Sequence, residues 1–251
     1  MFSTFRSDIR HAILSRGFLA GVLGLVVVIV LSSVESLFTA FSYGLPLPDG
    51  YHAQLVMNAL PSDAVVFAVP IVCALPFTPV FVDDIQSGFI KQFLPRTGVG
   101  TYIRSKLLAC AVSGGLVLSI GILFTYVLAT LLFLPLEGAF NGIGPLFLPL
   151  LAEAGMYFLS GMFWSLVGFT LASMTKSRYM AYAAPFIFYY ILIIIYERYF
   201  DTFYYFYPRE WLNPTHFWLP DNWGLFLLLL GLTLGISGVF AIFAREKLHN
   251  G

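Results

Sequence analysis

Residues 107–133 form a run of 27 positions without one charged side chain. About 20 mostly apolar residues suffice for a helix to cross the hydrocarbon core of a bilayer. Five further runs of that order recur along the chain, and together they dictate the solvent. Of 251 residues, 59% are hydrophobic and only 10% charged, against about 25% charged in an ordinary soluble domain. A soluble fold of this size cannot hide so much apolar surface, because the buried fraction levels off as chains grow. The expectation is an all-α membrane protein that uses lipid as solvent. Formal net charge is zero, so bulk electrostatics give no support to a nucleic-acid partner.

The charge-free runs place six spans at about 17–38, 63–82, 107–133, 148–175, 179–197 and 222–244. An even count puts both termini on one side. Lys/Arg asymmetry then sets the orientation. With the termini inside, the inner segments hold Arg6, Arg10, Arg16, Lys91, Arg96, Arg104, Lys106, Lys176, Arg178, Arg245 and Lys247. Only Arg198 and Arg209 of the thirteen basic residues fall outside. Residues 1–16 read as a separate element: Phe2, Phe5, Ile9 and Ile13 recur at helical spacing while Arg6 and Arg10 take another face. That pattern suits an amphipathic helix lying in the headgroup plane. This start is too polar for a secretory signal, and no small-residue cleavage pattern follows the first apolar run. The first span is therefore expected to stay in the mature protein.

Two outer segments stand apart. Residues 41–63 carry Pro and Gly punctuation around "AQLVMNAL", a short re-entrant or surface helix. Residues 201–223 hold nine aromatics and three prolines. They suit an aromatic belt at headgroup depth; a part in substrate release or gating is the alternative, with Trp211 and Trp218 as the gate residues.

Chemistry inside the bilayer requires ionisable groups there, since these are expensive to insert without a purpose. His11, His52, His216 and His249 all fall in predicted loops or termini. "GISG" at 235–238 resembles a serine-protease motif on paper, but nucleophilic catalysis needs a base within hydrogen-bond reach. Small residues for close helix packing explain it better. Cys73 and Cys110 lie inside apolar runs and read as free thiols acting as small hydrophobes. No GxxxxGK[ST] occurs, so the chain has no phosphate cradle of its own and is not expected to be an enzyme. Glu153, entering the fourth span, and Glu35, at the end of the first, are the acids open to two readings. Each either snorkels near the interface or lines a substrate path.

The remaining segment, 83–106, is a polar island of four Lys/Arg and two Asp between apolar runs. Ile85, Phe89 and Phe93 recur at i, i+4 and i+8, one stripe of a helix. Pro95 in "PRTG" is expected to break that helix, because the residue before proline is biased away from helical geometry. "VGTYIRSK" then returns to the bilayer. A helix, a sharp turn and a second amphipathic piece make a hairpin suited to docking in a groove of another protein; a polar hairpin that merely meets lipid headgroups is the plainer alternative.

Asp84, Gly88, Pro95-Arg96-Thr97 and Tyr102-Ile103-Arg104-Ser105-Lys106 together resemble the corresponding loop of ABC-2-type transporter permeases, the membrane subunits of ATP-driven exporters. The interfacial N-terminal helix, "SRGFLAGVLG" and six spans are similar as well. The resemblance implies a coupling helix centred on Gln92, Phe93, Leu94, Pro95, Arg96, Thr97, Gly98 and Tyr102. This would seat in a separate cytoplasmic ATPase dimer, which would hold the ATP and Mg²⁺. It further implies a second permease subunit, either another copy or a paralogue, in a bacterial plasma membrane with both termini cytoplasmic. Export of an amphipathic molecule, such as an antimicrobial peptide, a drug or a lipid-like compound, is the expected function. The alternative is an immunity or sensor protein that binds an antimicrobial ligand at its outer aromatic face.

Overall fold

A computed structural model describes residues 2–43, 46–138, 146–200, 202–218 and 223–249. It is all-helical, with no strand among the described residues. Among the described residues eleven α-helices follow in order: α1 (Phe2–Ile13), α2 (Arg16–Ser32), α3 (Val34–Tyr43), α4 (Tyr51–Ala59), α5 (Asp63–Val72), α6 (Val80–Gln86), α7 (Phe89–Thr97), α8 (Val99–Phe133), α9 (Phe147–Thr175), α10 (Arg178–Tyr199) and α11 (Trp223–His249). Four of them, α8 to α11, are each long and apolar enough to cross a membrane. The number rises to six if α1 with α2, bent by 49°, and α4 with α5, bent by 72°, each count as one span.

Leu19, Leu23 and Val27 of α2, Phe186, Tyr190 and Ile191 of α10, and Leu227, Leu234 and Ile242 of α11 all face outward. Apolar faces of this extent are foreign to a water-soluble monomer and mark the surface that lipid covers. Lipid gives helices no hydrophobic reason to associate, so close contact between backbones must hold them together. The chain provides it with glycine. On α8 a Cβ at Gly114 would lie 2.4 Å from that of Ser165 on α9, and one at Gly161 would lie 2.7 Å from the Gly114 carbonyl oxygen. Ser165 Oγ donates to the Cys110 carbonyl at 3.2 Å and Ser119 Oγ to the Ala154 carbonyl at 2.8 Å, so hydrogen bonds cross the same seam. Gly168 brings α9 against the Ala181 carbonyl and Pro185 of α10, and Gly17 sets α2 against the Leu75 carbonyl. Both cysteines are buried and free.

The bundle has two unlike ends. One holds α1, α6, α7, the start of α8, the α9–α10 turn and the end of α11; it is here the basic end. At the other, α3, α4 and the aromatic segment 202–218 gather.

Several element boundaries differ from the sequence expectation. The first apolar helix stops at Ser32 instead of running to 38. The Ser32 and Ser33 hydroxyls donate to the carbonyls of Val28 and Ile29 at 2.9 and 2.8 Å, the back-bonding that loosens a helix end. Glu35 thus sits on the separate helix α3, whose Phe38 and Phe41 are exposed. The stretch expected as one span over 63–82 is broken: α5 ends at Val72, turns fill 73–79, and α6 begins at Val80. Pro76 and Pro79 lack the N–H that continuation would need. Pro95 does not break its helix. It lies inside α7, which continues to Thr97. The breaks are instead at Gly88 (φ 72°) and Gly98 (φ 76°), so Ile85 belongs to α6 while Phe89 and Phe93 belong to α7. The helix expected to start at 107 starts at Val99, and α11 runs on past 244 through Arg245 and Lys247.

Gly231, Gly235 and Gly238 of α11 have nothing within 4 Å of a built Cβ. Replacing Gly114 by Ala should therefore lower the melting temperature in detergent, at an overpacking cost of about 1–3 kcal/mol, whereas Gly235→Ala should leave it unchanged or raised. Equal melting of the two variants would refute this account of the α8–α9 seam.

Candidate functional site

At the basic end, α6, α7 and the first turns of α8 form one helical hairpin. Its two corners are backbone devices. Gly88 (φ 72°, ψ 5°) is left-handed, and Gly98 (φ 76°, ψ 144°) lies in a region that side-chain-bearing residues scarcely enter. A Cβ at either position would meet nothing within 4 Å. Glycine is required at these corners by torsion, not by space. The Gly98 N–H donates to the Leu94 carbonyl at 2.9 Å and closes α7; its own carbonyl accepts from Tyr102 N–H at 3.2 Å and opens α8.

Three i, i+3 and i+4 neighbours at the start of α8, Tyr102, Ser105 and Lys106, face one spot. Lys106 is 6% exposed. Its Nζ lies 3.1 Å from Asp8 Oδ1 of α1 and 3.0 Å from Asp84 Oδ2 of α6. Tyr102 OH donates to the same Asp84 oxygen at 2.7 Å, and Ser105 Oγ donates to Asp8 Oδ2 at 2.5 Å. The ammonium also stands over the rings of Phe77 and Tyr102, at 5.4 and 5.6 Å. One buried cation thus ties the N-terminal helix, the hairpin and the longest helix together. Phe93 of α7 packs edge-on to Tyr102 at 6.0 Å and stacks on Phe89 at 5.0 Å. On the outside, Arg178 pairs with Asp83, both well exposed, a pair worth little by itself.

The residues expected to form the hairpin's contact surface fall into distinct places. Phe93 and Leu94 are half-buried, Pro95 and Gly98 are exposed, Thr97 donates to the Phe93 carbonyl at 3.0 Å, and Tyr102 is buried in the cluster above. The side chains of Gln92 and Arg96 lie outside the described residues. Glu153, Glu35, Trp211 and Trp218 are not brought near this site or gathered into one of their own. Glu153 is half-buried on α9, with no cation or hydrogen-bond donor on its carboxylate among the described residues. Glu35 is exposed.

Trp211 and Trp218 are 2% and 1% exposed, packed inside the protein rather than turned to its surface. Trp211 stacks on Trp164 at 5.8 Å, meets Phe163 edge-on and donates Nε1–H to the Tyr205 carbonyl at 2.9 Å. The segment that carries them is knotted by Glu210. This carboxylate accepts from Thr215 N–H at 3.0 Å, from the Thr215 hydroxyl and from His216 N–H at 3.2 Å. Burial opposes its charge, but these hydrogen bonds outweigh that and hold its pKa below the ordinary carboxylate value.

Sequence reasoning missed another pair at this end. His52, expected in a loop, is buried in α4, its Nδ1 2.7 Å from Glu137 Oε1. The same carboxylate accepts from the N–H groups of Gly50 and His52 at 3.1 and 2.9 Å. The two residues are 85 positions apart, and no local signal pairs them. Among the described residues no group of three or more His, Cys, Asp or Glu is placed to hold a metal ion.

Removing one partner of a buried ion pair strands the other. Lys106→Met should therefore destabilise the fold by about 3–5 kcal/mol, measured by denaturant titration in mixed micelles. A loss under about 1 kcal/mol would mean that the acids are wet and the cluster is dispensable. Glu210 gives a pH signature. Its folded pKa lies below its unfolded one, so its contribution is complete above about pH 4.3 and disappears as the pH falls through the folded value. Acidification should shift Trp211 and Trp218 fluorescence to the red, and Glu210→Gln should abolish that acid limb; an unaltered limb would exclude Glu210 as its cause. No protein-family model matches this chain, and comparisons with curated proteins and with solved structures give no match.

Proposed function

We propose that the chain is the membrane permease subunit of an ATP-driven exporter, with the α6–α7–α8 hairpin as its coupling element. The observation that carries this reading is α7: a nine-residue helix between two positive-φ glycines, tied at its base to the bundle by the Lys106 cluster. A short rigid lever with defined corners passes a push from a docked protein to the helices behind it. A floppy polar loop does not.

In this reading α1 lies in the interface and the chain crosses the bilayer six times, as α2, α5 with α6, and α8 to α11. Both termini are cytoplasmic. Eleven of the thirteen basic residues then fall on the cytoplasmic side, in line with the positive-inside rule. The membrane is a bacterial plasma membrane. ATP and Mg²⁺ are bound and hydrolysed by a separate cytoplasmic ATPase dimer, and a second permease subunit completes the path. The cargo is an amphipathic molecule of peptide, drug or lipid-like character. Glu153, a half-buried carboxylate with no ion-pair or hydrogen-bond partner among the described residues, is its polar contact.

The test is purification of the tagged full chain from its native membrane in mild detergent, followed by mass spectrometry for a stoichiometric P-loop ATPase. The wild-type chain should bring one down. Gly98→Trp, which forces a side chain into a glycine-only conformation, should lose it while the helical content of the bundle persists. No ATPase in several detergents would overturn the proposal and leave the aromatic end as the leading functional surface.

A further inference from the structure

A groove of about 1110 Å³ opens at the basic end between the hairpin and the end of α11. Its walls are apolar: Ile85, Ile90, Leu94, Phe243 and Leu248 are among the residues lining it. Two cations, Lys176 and Lys247, also line it. Neither has an anionic partner among the described residues. Lys247 donates one hydrogen bond to the Ser173 carbonyl at 3.0 Å and rests its ammonium over the Phe243 ring at 5.1 Å. An ammonium has three N–H donors, so two stay available. Lys176 closes α9 in the left-handed conformation, φ 55°, where glycine is the ordinary choice. A lysine at such a position is unfavourable for the backbone and retains a fixed cation at the groove.

Glu246 also lines the groove, but Arg245 lies beside it in an adjoining hollow with Val99 and Gly100. The balance of described charge around the opening is therefore positive. A largely apolar groove lined by two cations without anionic partners among the described residues fits a particular class of molecule. Basic pockets between membrane helices take anionic headgroups.

We propose that this groove is a binding site for an anionic phospholipid. The phosphate-bearing headgroup lies between Lys176 and Lys247, and an acyl chain lies along Leu94, Phe243 and Leu248. The inference goes beyond the exporter reading and does not need it. The groove is also walled by Gly88, one corner of the hairpin, and by Pro95 and Val99 on either side of the other. Bound lipid would brace α7 against α11.

The experiment is native mass spectrometry of the purified full chain, released from nanodiscs of dioleoyl-phosphatidylcholine doped with dioleoyl-phosphatidylglycerol. One phosphatidylglycerol should be retained in preference to phosphatidylcholine. Lys176→Gly keeps the left-handed turn and removes the charge, and it should weaken retention about fivefold, the usual effect of one basic residue at a membrane surface. Arg104→Ala, an exposed cation outside the groove lining, should have no effect. Equal retention of the two lipids, or equal losses from Lys176→Gly and Arg104→Ala, would overturn the site in favour of diffuse attraction. Displacement of the lipid by millimolar inorganic phosphate would assign the lysines to a free anion and refute the acyl trough. Retention only when a protein partner is stripped away would assign the groove to that partner.

Discussion

One buried ammonium holds the basic end together. Lys106 of α8 reaches Asp8 on α1 and Asp84 on α6 at about equal distances; Ser105 takes the other oxygen of Asp8, and Tyr102 shares the Asp84 oxygen that Lys106 holds. A charge this deeply buried is tolerated only when paired and hydrogen-bonded, so the three helices cannot rearrange independently. If α7 moves, Asp84 and Tyr102 carry that motion to α8, the helix with the most extensive neighbours in the bundle. The hairpin is thus attached to the spans by directional contacts rather than by a slippery apolar patch.

Glycine does two jobs in this chain, and the surroundings of each residue separate them. Gly114, Gly161 and Gly168 are pressed against neighbouring backbone or side chains, which suits helices that must cohere in lipid without a hydrophobic drive. Gly88 and Gly98 stand in open space but hold torsions that a side chain resists. The first group gives the bundle its rigidity. The second gives the hairpin corners of fixed shape, and a rigid bundle with a shaped projection is the combination the exporter reading requires.

The long helices were legible because charge boundaries mark them: α9 and α10 begin and end within about two residues of the expected limits. What failed was local reading at prolines. Pro95 was expected to end a helix, yet in a nine-residue helix a missing N–H removes a single i→i−4 bond, and Gly98 supplies the stronger stop. The converse occurred over 63–82, where apolar character promised one helix and the prolines divided it. The charge clusters were invisible for another reason. Asp8 and Lys106 are 98 positions apart, and His52 and Glu137 are 85 apart; each acid and base alone looks like an ordinary interfacial charge. The burial of Trp211 and Trp218 was not legible because composition tells aromatic from polar but not inside from outside. That Lys176 and Lys247 line one groove likewise follows only from the fold.

The central claim is that α7 touches an ATPase. A photo-crosslinking residue at the exposed position Pro95 tests it most directly, in native membranes, beside the same probe at Ile242 on the lipid-facing side of α11 and at Phe206 at the aromatic end. The account predicts a crosslink from position 95 to a nucleotide-binding protein, and none to that protein from 242 or 206. Crosslinks from position 95 to lipid alone, or the same protein captured from all three positions, would contradict it.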